Sequence, residues 1–357
     1  MLTMRPARSH QVADVVSEEE EDTMENFVGQ KLPHTFELAQ HMEAGKDAHE
    51  EDFHKVFSTQ GNGETVPLFI TFLLIYTITV AGNLGMLLLI LLDPCMHISM
   101  YCFLGNLSLV DFSSSSVVTP MVMTVLLTGN KVISYNACAA QIFLFVALIC
   151  AENYFLSSMA YDHYAAVCKP LHYTTTITTN MCVSLLIGCY AISFLNACIQ
   201  IGNTFSLSFC NSNFIHHFFC DVPAVMALSC FDKQVTELFF LYFVSFQIFF
   251  HILVILTSYI FIFGTILRIH SAAGYHKALS TCSSHLTSVS IFYVPGIFMY
   301  LQPSSRHSMD TDKIASVFYT MVVPMLNPIV YSLRNKEVKS AFLKVKHAFI
   351  LSRKNKL

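Results

Sequence analysis

Seven apolar stretches, each long enough to cross a lipid bilayer, constrain the fold of this 357-residue chain. A spanning helix needs about 20 mostly apolar residues, because lipid offers its backbone no hydrogen-bond partners. The stretches cover residues 66–92, 99–124, 136–161, 181–203, 236–267, 277–301 and 314–333. The sixth is the weakest, since it starts with the polar run STCSSH. Only 12% of the residues are charged, against about 25% in soluble domains, so the sequence predicts an all-α membrane protein, a seven-transmembrane helix bundle.

Lysine and arginine in the short loops predict the orientation of the bundle, because cytoplasmic loops carry an excess of both. With the C-terminus in the cytoplasm, the inner side holds 11 of these residues and the outer side four. An odd number of spans then places the N-terminus outside. The sequence therefore predicts a multi-pass protein of the plasma membrane.

The charge of the two ends divides the chain into three predicted parts. Residues 1–65 hold 14 acidic and 5 basic residues and lack helical or strand periodicity, which indicates a disordered extracellular tail. Residues 66–334 form the bundle. Eight basic residues lie between Arg334 and Lys356, so we expect residues 335–357 to be a cytoplasmic tail with a short amphipathic helix on membrane lipid.

Four polar residues lie within the predicted spans, where such groups are costly and often functional. They are Asn83, Asp111, Glu152 and Asn327. One interpretation gathers them around a hydrated cavity that could hold a cation such as sodium near Asp111 and Glu152. The other is a hydrogen-bonded cluster between helices without an ion, and the sequence leaves both open. No other cofactor is expected.

The string Asn327-Pro328-Ile329-Val330-Tyr331 lies near the end of the seventh span. Proline removes a backbone donor and kinks the helix, and in a membrane we expect neighbouring polar groups to bond the carbonyl that it frees. The tyrosine one turn later is a hinge element able to exchange partners.

Several motifs in the same order resemble those of odorant receptors. They are GN at 82–83, NLSLVD at 106–111, MAYDHYAAVCKPLHY at 159–173, KALSTCSSHLTSV at 277–289 and PMLNPIVYSLRNKEVK at 324–339. Over residues 66–340 the chain is similar to this family of rhodopsin-like (class A) G-protein-coupled receptors. The resemblance implies a receptor, not an enzyme, that binds small volatile odorants and activates a stimulatory olfactory-type G protein to raise cyclic AMP. No nucleic-acid partner is implied.

The resemblance also implies a ligand site in the outer half of the bundle, formed by spans three, five, six and seven. Helical spacing agrees, because residues 145 and 149, residues 243 and 247, and residues 293, 296 and 300 each share one face of their helix. They are Phe145, Val146, Ile149 and Cys150, then Phe243 and Gln247, then Tyr293, Gly296 and Tyr300, and finally Thr320.

Four cysteines fall on the predicted outer side, and four cysteines allow three pairings between which their spacing cannot choose. The resemblance implies the disulfides Cys138–Cys220 and Cys210–Cys230. No metal site is expected, because the bridges would use the thiols.

The resemblance assigns a coupling and activation switch to two places, the Asp-Arg-Tyr step that ends span three and the NPxxY string of span seven. Here the corresponding residues are Asp162, His163, Tyr164, Asn327, Pro328 and Tyr331.

Two positions at this end of the bundle depart from the family. His163 stands at the position of the arginine, and Ser99 stands at the position of a proline that begins span two. Histidine lacks the five-donor fork of arginine and is mostly neutral at pH 7. It can hydrogen-bond Asp162 without supplying a permanent cation, so coupling could be weak, pH-sensitive or absent.

Two alternatives follow. One is a signalling-impaired or poorly exported member of the same family, since residues 1–65 also lack an N-x-[ST] glycosylation sequence. The other is a channel or transporter, which would need internal repeats or a charged path, and only Asp111 and Glu152 are available.

The N-terminal tail of residues 1–65 is long for the family, and initiation at Met42 would shorten it to a usual length.

Overall fold

The structure is a computed structural model that describes residues 2–5, 62–96, 98–128, 132–208, 214–215, 217, 219–229, 233–268, 272–300, 315–335 and 337–345. The chain forms two compact units. One is Ala7–Thr71, in which residues 62–71 are described and are helical. The other comprises Met1–Pro6 and Phe72–Leu357 and contains most of the helix bundle.

Seven long helices are present in the described part of the chain. A helix of 30 residues is about 45 Å long, which exceeds the roughly 30 Å hydrocarbon thickness of a bilayer. Six of the seven are also apolar enough to cross a membrane. The predicted seven-helix bundle is confirmed: α1 Asn62–Leu92, α2 Ser99–Thr128, α3 Tyr135–Cys168, α4 Thr179–Phe205, α5 Lys233–Ile266, α6 Ala272–Tyr300 and α7, from residue 315 to Arg334.

Helix α6 is the long helix that is less apolar than a typical span, as its sequence predicts. Several of its polar side chains are buried in the bundle and hydrogen-bonded there, so lipid does not have to solvate these groups. Ser284 donates to the carbonyl of Ser280 at 3.1 Å, and Ser288 donates to Asn327 on α7 at 2.5 Å. Ser284, His285 and Ser288 are all at most 1% exposed.

Helix α3 is the central element and packs against α2, α4 and α5. Phe155, Leu156 and Met159 in its second half are almost fully buried. By contrast α5 exposes large apolar residues such as Phe249 and Ile260 on the outside of the bundle. A helix that is apolar all round and not enclosed by protein is expected in lipid.

A three-stranded sheet lies at the end of the bundle where α3 begins. The strand β1, Leu2–Arg5, is central and pairs in parallel with β2, Val132–Ser134, and antiparallel with β3, Phe214–Ile215. Four residues of the tail that was predicted to be disordered are thus in a strand. Residues 6–61, including Met42, lie outside the described residues.

A short helix, residues 337–345, follows α7 within the predicted basic tail. Asn335 caps it, since Oδ1 accepts the backbone N–H of Glu337 at 2.9 Å. Val338 and Ala341 are buried, and Lys344 reaches Asp93 at 3.4 Å. This helix is therefore attached to the bundle through one face, and residues 346–357 lie outside the described part.

Candidate ligand-binding site and activation switch

A cavity lies between α3, α5 and α6, and side chains of α4, α7 and the segment at Asp221 also reach it. The empty space between its lining atoms, including the part open to the surroundings, is about 870 Å³. Rings of Phe145, Phe243 and Phe292 contribute to the mostly apolar wall. Concave, apolar cavities with a few polar groups are typical of small-molecule sites.

Eight of the ten predicted ligand residues line this cavity. They are Phe145, Val146, Ile149 and Cys150 of α3, Phe243 and Gln247 of α5, and Tyr293 and Gly296 of α6. They meet there because each set recurs every three or four residues on one face of its helix. The side chain of Tyr300, the ninth, lies outside the described residues. That these residues bind a ligand stays a prediction.

Thr320, the tenth, does not line the cavity. It is buried, and its hydroxyl donates to the carbonyl of Ser316 at 2.7 Å. The preceding residue, Tyr319, lines the cavity in its place. The segment Phe318–Val322 is π-helical, and a π-helical turn holds more residues than an α-helical one, which shifts the register of the side chains.

Three polar residues that were not predicted also line the cavity: Asn153, Gln200 and Asp221. Gln200 on α4 is 2% exposed, and neither of its amide atoms has a hydrogen-bond partner among the described residues. The sequence contained a signal for it. Asn196, Gln200 and Asn203 recur at helical spacing in an otherwise apolar stretch, which indicates an inward polar face.

A disulfide holds the segment at Asp221 beside α3. Cys138 and Cys220 are bridged, with their Cα atoms 5.5 Å apart, so this predicted pair is confirmed. The second predicted bridge, Cys210–Cys230, lies outside the described residues.

Gln141 makes a second attachment one turn along α3 from the disulfide. Its Oε1 accepts the backbone N–H of Cys220 at 3.0 Å, and its Nε2 donates to the carbonyl of Val117 on α2 at 3.0 Å. The two attachments hold Asp221 and Val222 against the cavity, where both line the wall.

Three of the four predicted intramembrane polar residues meet in one cluster. Asn327 donates from Nδ2 to Asp111 Oδ2 at 3.0 Å and to Glu152 Oε1 at 3.2 Å, and its Oδ1 accepts from Ser288. All four side chains are buried. Two carboxyl groups beside one amide in a buried site need a proton or a cation to offset their repulsion.

The fourth residue, Asn83, hydrogen-bonds the backbone of α7 next to Pro328. Its Nδ2 donates at 3.0 Å to the carbonyl of Pro324, the acceptor that Pro328 leaves free, so the predicted repair by a neighbouring polar group is confirmed. A Cβ atom on Gly82 would lie 3.0 Å from Cγ of Pro328, which means that α1 and α7 pack closely here. Tyr331 is 3% exposed and its hydroxyl has no partner among the described residues.

Asp162 near the end of α3 binds two hydroxyl groups. Ser99 at the start of α2 donates to its Oδ1 at 2.8 Å, and Tyr173 in the short helix after α3 donates to the same atom at 3.0 Å. The two hydroxyl groups also lie 2.6 Å from each other. Burial is the main cause that raises the pKa of Tyr173 to about 12, while the Ser99 hydroxyl lowers it and Asp162 raises it further.

His163 does not bond Asp162 among the described contacts, although its chemistry would allow it. Adjacent residues of a helix point in different directions. His163 is 4% exposed and lies edge-on to His285 of α6, with ring centres 5.2 Å apart. His285 in turn contacts the hydroxyl of Tyr259 at 2.9 Å and the carbonyl of Leu156 at 3.0 Å. Tyr164, the next residue, lies beside the ring of Phe261 on α5.

Comparison with known proteins gives the family. A family model described as olfactory receptor matches residues 72–350. The chain is 68% identical to olfactory receptor 5B3 of Homo sapiens over 280 residues, which cover 78% of this chain and 89% of that protein. It is 66% identical to olfactory receptor 5B2 of Homo sapiens over 280 residues, covering 78% and 91%. It is 57% identical to olfactory receptor 5B21 of Mus musculus over 284 residues, covering 80% and 89%. With its apolar spans, the chain is therefore a multi-pass plasma-membrane protein that belongs to the olfactory receptor family, whose members are G-protein-coupled receptors and not enzymes.

Proposed function

We propose that this chain binds small volatile odorants in the cavity between α3, α5 and α6 and activates a stimulatory olfactory-type G protein, which raises cyclic AMP. In this proposal the disulfide end faces outside and the C-terminus lies in the cytoplasm. The observation that carries it is the cavity itself, an apolar space with a few polar groups, to which five helices of the bundle contribute side chains.

Activation would be a population shift, in which a ligand that binds one arrangement of the helices more tightly favours it. A molecule in the cavity touches α3, α5 and α6 at once. From Tyr319 at the cavity wall, α7 continues to Asn327, whose amide joins α7 to α2 and α3. A change in the position of α7 would therefore have to change these bonds.

We also propose that Asp111 and Glu152 hold a sodium ion. The residues fit such an ion, because carboxyl and hydroxyl oxygens are the ligands of hard cations, and two buried carboxyl groups meet here with Ser288 nearby. The ion would supply positive charge that the described side chains around Asn327 do not.

A second candidate is a receptor that binds odorants without coupling to a G protein. The observation that favours it is the placement of His163, which is buried against His285 and presents no permanent cation at this end of the bundle.

Cyclic AMP measurements in cells would separate the two candidates. The chain is compared with His163→Arg under a panel of odorants, with the surface level of each measured. Gly296→Phe fills the cavity, since nothing lies within 4 Å of the position of its Cβ atom. Gly264→Phe is the matched control, because that glycine lies equally open on the exposed side of α5.

The coupled receptor is supported if both the chain and His163→Arg respond with a rise in cyclic AMP. The response should disappear in Gly296→Phe and persist in Gly264→Phe. A response of His163→Arg alone supports the uncoupled candidate. If all variants reach the surface and none responds to any odorant, the proposal of ligand-dependent coupling is wrong.

A further inference from the structure

Two buried polar side chains on the cavity wall have groups without a hydrogen-bond partner among the described residues. They are both amide atoms of Gln200 and the hydroxyl of Tyr293, which are 2% and 5% exposed as residues. Asn153, also on the wall, has an unpartnered Oδ1. Buried polar groups cost free energy when they are unpaired, and native proteins normally pair them. Their presence on one cavity wall indicates a ligand that pairs them.

The charges of the wall limit what that ligand can be. Among the lining residues that the structure describes, none is Lys, Arg or His, and Asp221 is the acidic one. A ligand carboxylate would therefore find no positive partner. The Asp221 oxygens already accept hydrogen bonds, Oδ1 from the backbone N–H of Val222 at 2.8 Å and Oδ2 from the hydroxyl of Tyr319 at 3.3 Å. An amine would have to compete with these donors.

We propose that the cavity selects an uncharged ligand whose polar end is a hydroxyl group, and that Gln200 of α4 anchors that hydroxyl; this rests on the proposed function. A hydroxyl both donates and accepts, so it can bond either amide atom of Gln200 or the phenolic oxygen of Tyr293. A carbonyl only accepts and leaves Oε1 of Gln200 unpaired. A hydrocarbon leaves every one of these groups unpaired, and the apolar rest of the ligand lies against rings such as Phe145 and Phe243.

The test uses the full chain purified in lipid nanodiscs, with Tm read from a thiol-reactive dye because the chain has no Trp. The probes share one carbon chain: hexanol, hexanone, hexane, hexanoic acid and hexylamine. We expect half-maximal stabilisation at about a tenfold lower concentration of hexanol than of hexane. Such a ratio corresponds to the binding free energy of roughly one added hydrogen bond. The concentration of hexanone for half-maximal stabilisation should lie between those of hexanol and hexane. Hexanoic acid and hexylamine should give the smallest increases in Tm.

Gln200→Leu should abolish the difference between hexanol and hexane and raise the Tm of the ligand-free receptor, because it removes two unpaired buried atoms. Gln141→Leu is the matched control and should lower that Tm, since both amide atoms of Gln141 are bonded. Gly296→Phe should remove every increase in Tm that is caused by binding of a probe in the cavity.

Four outcomes would overturn the inference. Equal cavity-dependent shifts with hexanol and hexane would exclude the hydroxyl preference and leave small-molecule binding intact. A preference for hexanol that survives in Gln200→Leu would exclude the anchor, and a larger shift with hexylamine would assign the polar contact to Asp221. Absence of a shift with all five probes would overturn the binding site as well.

Discussion

The hydroxyl of Ser99 donates a 2.8 Å hydrogen bond to Oδ1 of Asp162 and so links the start of α2 to the end of α3. The two positions at which the resemblance implies a departure from the family are the partner and the neighbour of this carboxyl group. Ser99 bonds it where the resemblance implies a proline, and His163, the next residue, stands where it implies an arginine. Asp162 is 2% exposed, so a donor of either kind prevents an unpaired buried carboxyl group.

Replacing Ser99 by alanine should destabilise the receptor. The carboxyl group of Asp162 would keep the hydroxyl of Tyr173 and lose one of its two donors, a cost of about 1–3 kcal/mol. Thermal unfolding in nanodiscs would show this as a lower Tm. Ser113→Ala on the same helix is the control, because that hydroxyl bonds the carbonyl of Leu109 in its own helix. An equal Tm for the two variants would contradict the role of Ser99.

The effect of Ser99→Ala should be smaller in a His163→Arg background. An arginine next to Asp162 would give the carboxyl group a second kind of partner, and residues that share a partner are not additive. A double-mutant cycle on Tm measures this coupling. Strictly additive losses would mean that the arginine does not reach Asp162.

The hydrogen bond from Tyr173 to Asp162 should be stable to pH across the physiological range. Burial raises the pKa of Tyr173 from 10.0 to about 12, so the folded state holds the phenolic proton more tightly than the unfolded state. The contribution of this proton to the free energy of unfolding is fully present below about pH 10 and is lost as the pH rises from 10 towards 12. The Tm difference between the receptor and Tyr173→Phe should therefore be constant from neutral pH to pH 9 and shrink above pH 10. A difference that changes between pH 6 and 8 would exclude this assignment.

Valine in place of Gly82 should disrupt the contact between α1 and α7. Its Cβ atom would lie 3.0 Å from Cγ of Pro328, closer than packed atoms normally approach, and overpacking costs about 1–3 kcal/mol. Gly85→Val on the same helix has open space around it and serves as the control. We expect a lower surface level and a lower Tm for the first variant alone. Equal behaviour of the two would show that α1 can move aside.

Sodium should stabilise the receptor through Asp111 and Glu152. A ligand that binds only the folded state raises Tm in proportion to the logarithm of its concentration. Unfolding in sodium chloride is compared with unfolding in choline chloride at the same ionic strength. We expect a higher Tm in sodium chloride, and this difference should disappear in Asp111→Asn and in Glu152→Gln. The control variant Asp93→Asn should keep it. Identical curves in the two salts would favour the hydrogen-bonded cluster without an ion.

Much of the cavity wall was implied by the resemblance to odorant receptors, and helical spacing agrees with it because α3, α5 and α6 are regular helices. Phe145 and Ile149, or Tyr293 and Gly296, share a face wherever the period stays near 3.6 residues. The residue that the resemblance implied on α7 was wrong, since Tyr319 and not Thr320 lies at the wall, where Phe318–Val322 is π-helical, and the sequence shows no mark of that turn.

Two other features were harder to predict, one because its signal in the sequence is weak and one because its partners are distant in sequence. Gln200 is uncharged and lies in an apolar stretch, so only its spacing from Asn196 hinted at an inward face. Ser99 and Asp162 are 63 residues apart in sequence. Their contact depends on how α2 and α3 pack, and on a hydroxyl at a position where the family has none.

The two attachments of Cys220, a covalent bond to Cys138 and the amide of Gln141 one turn away, also bear on how a ligand arrives. The segment at Cys220 is therefore fixed to α3 at two points. We expect Asp221 and Val222, the next two residues, to keep their places in the cavity wall while a ligand enters or leaves, so that movement of other parts of the wall admits it.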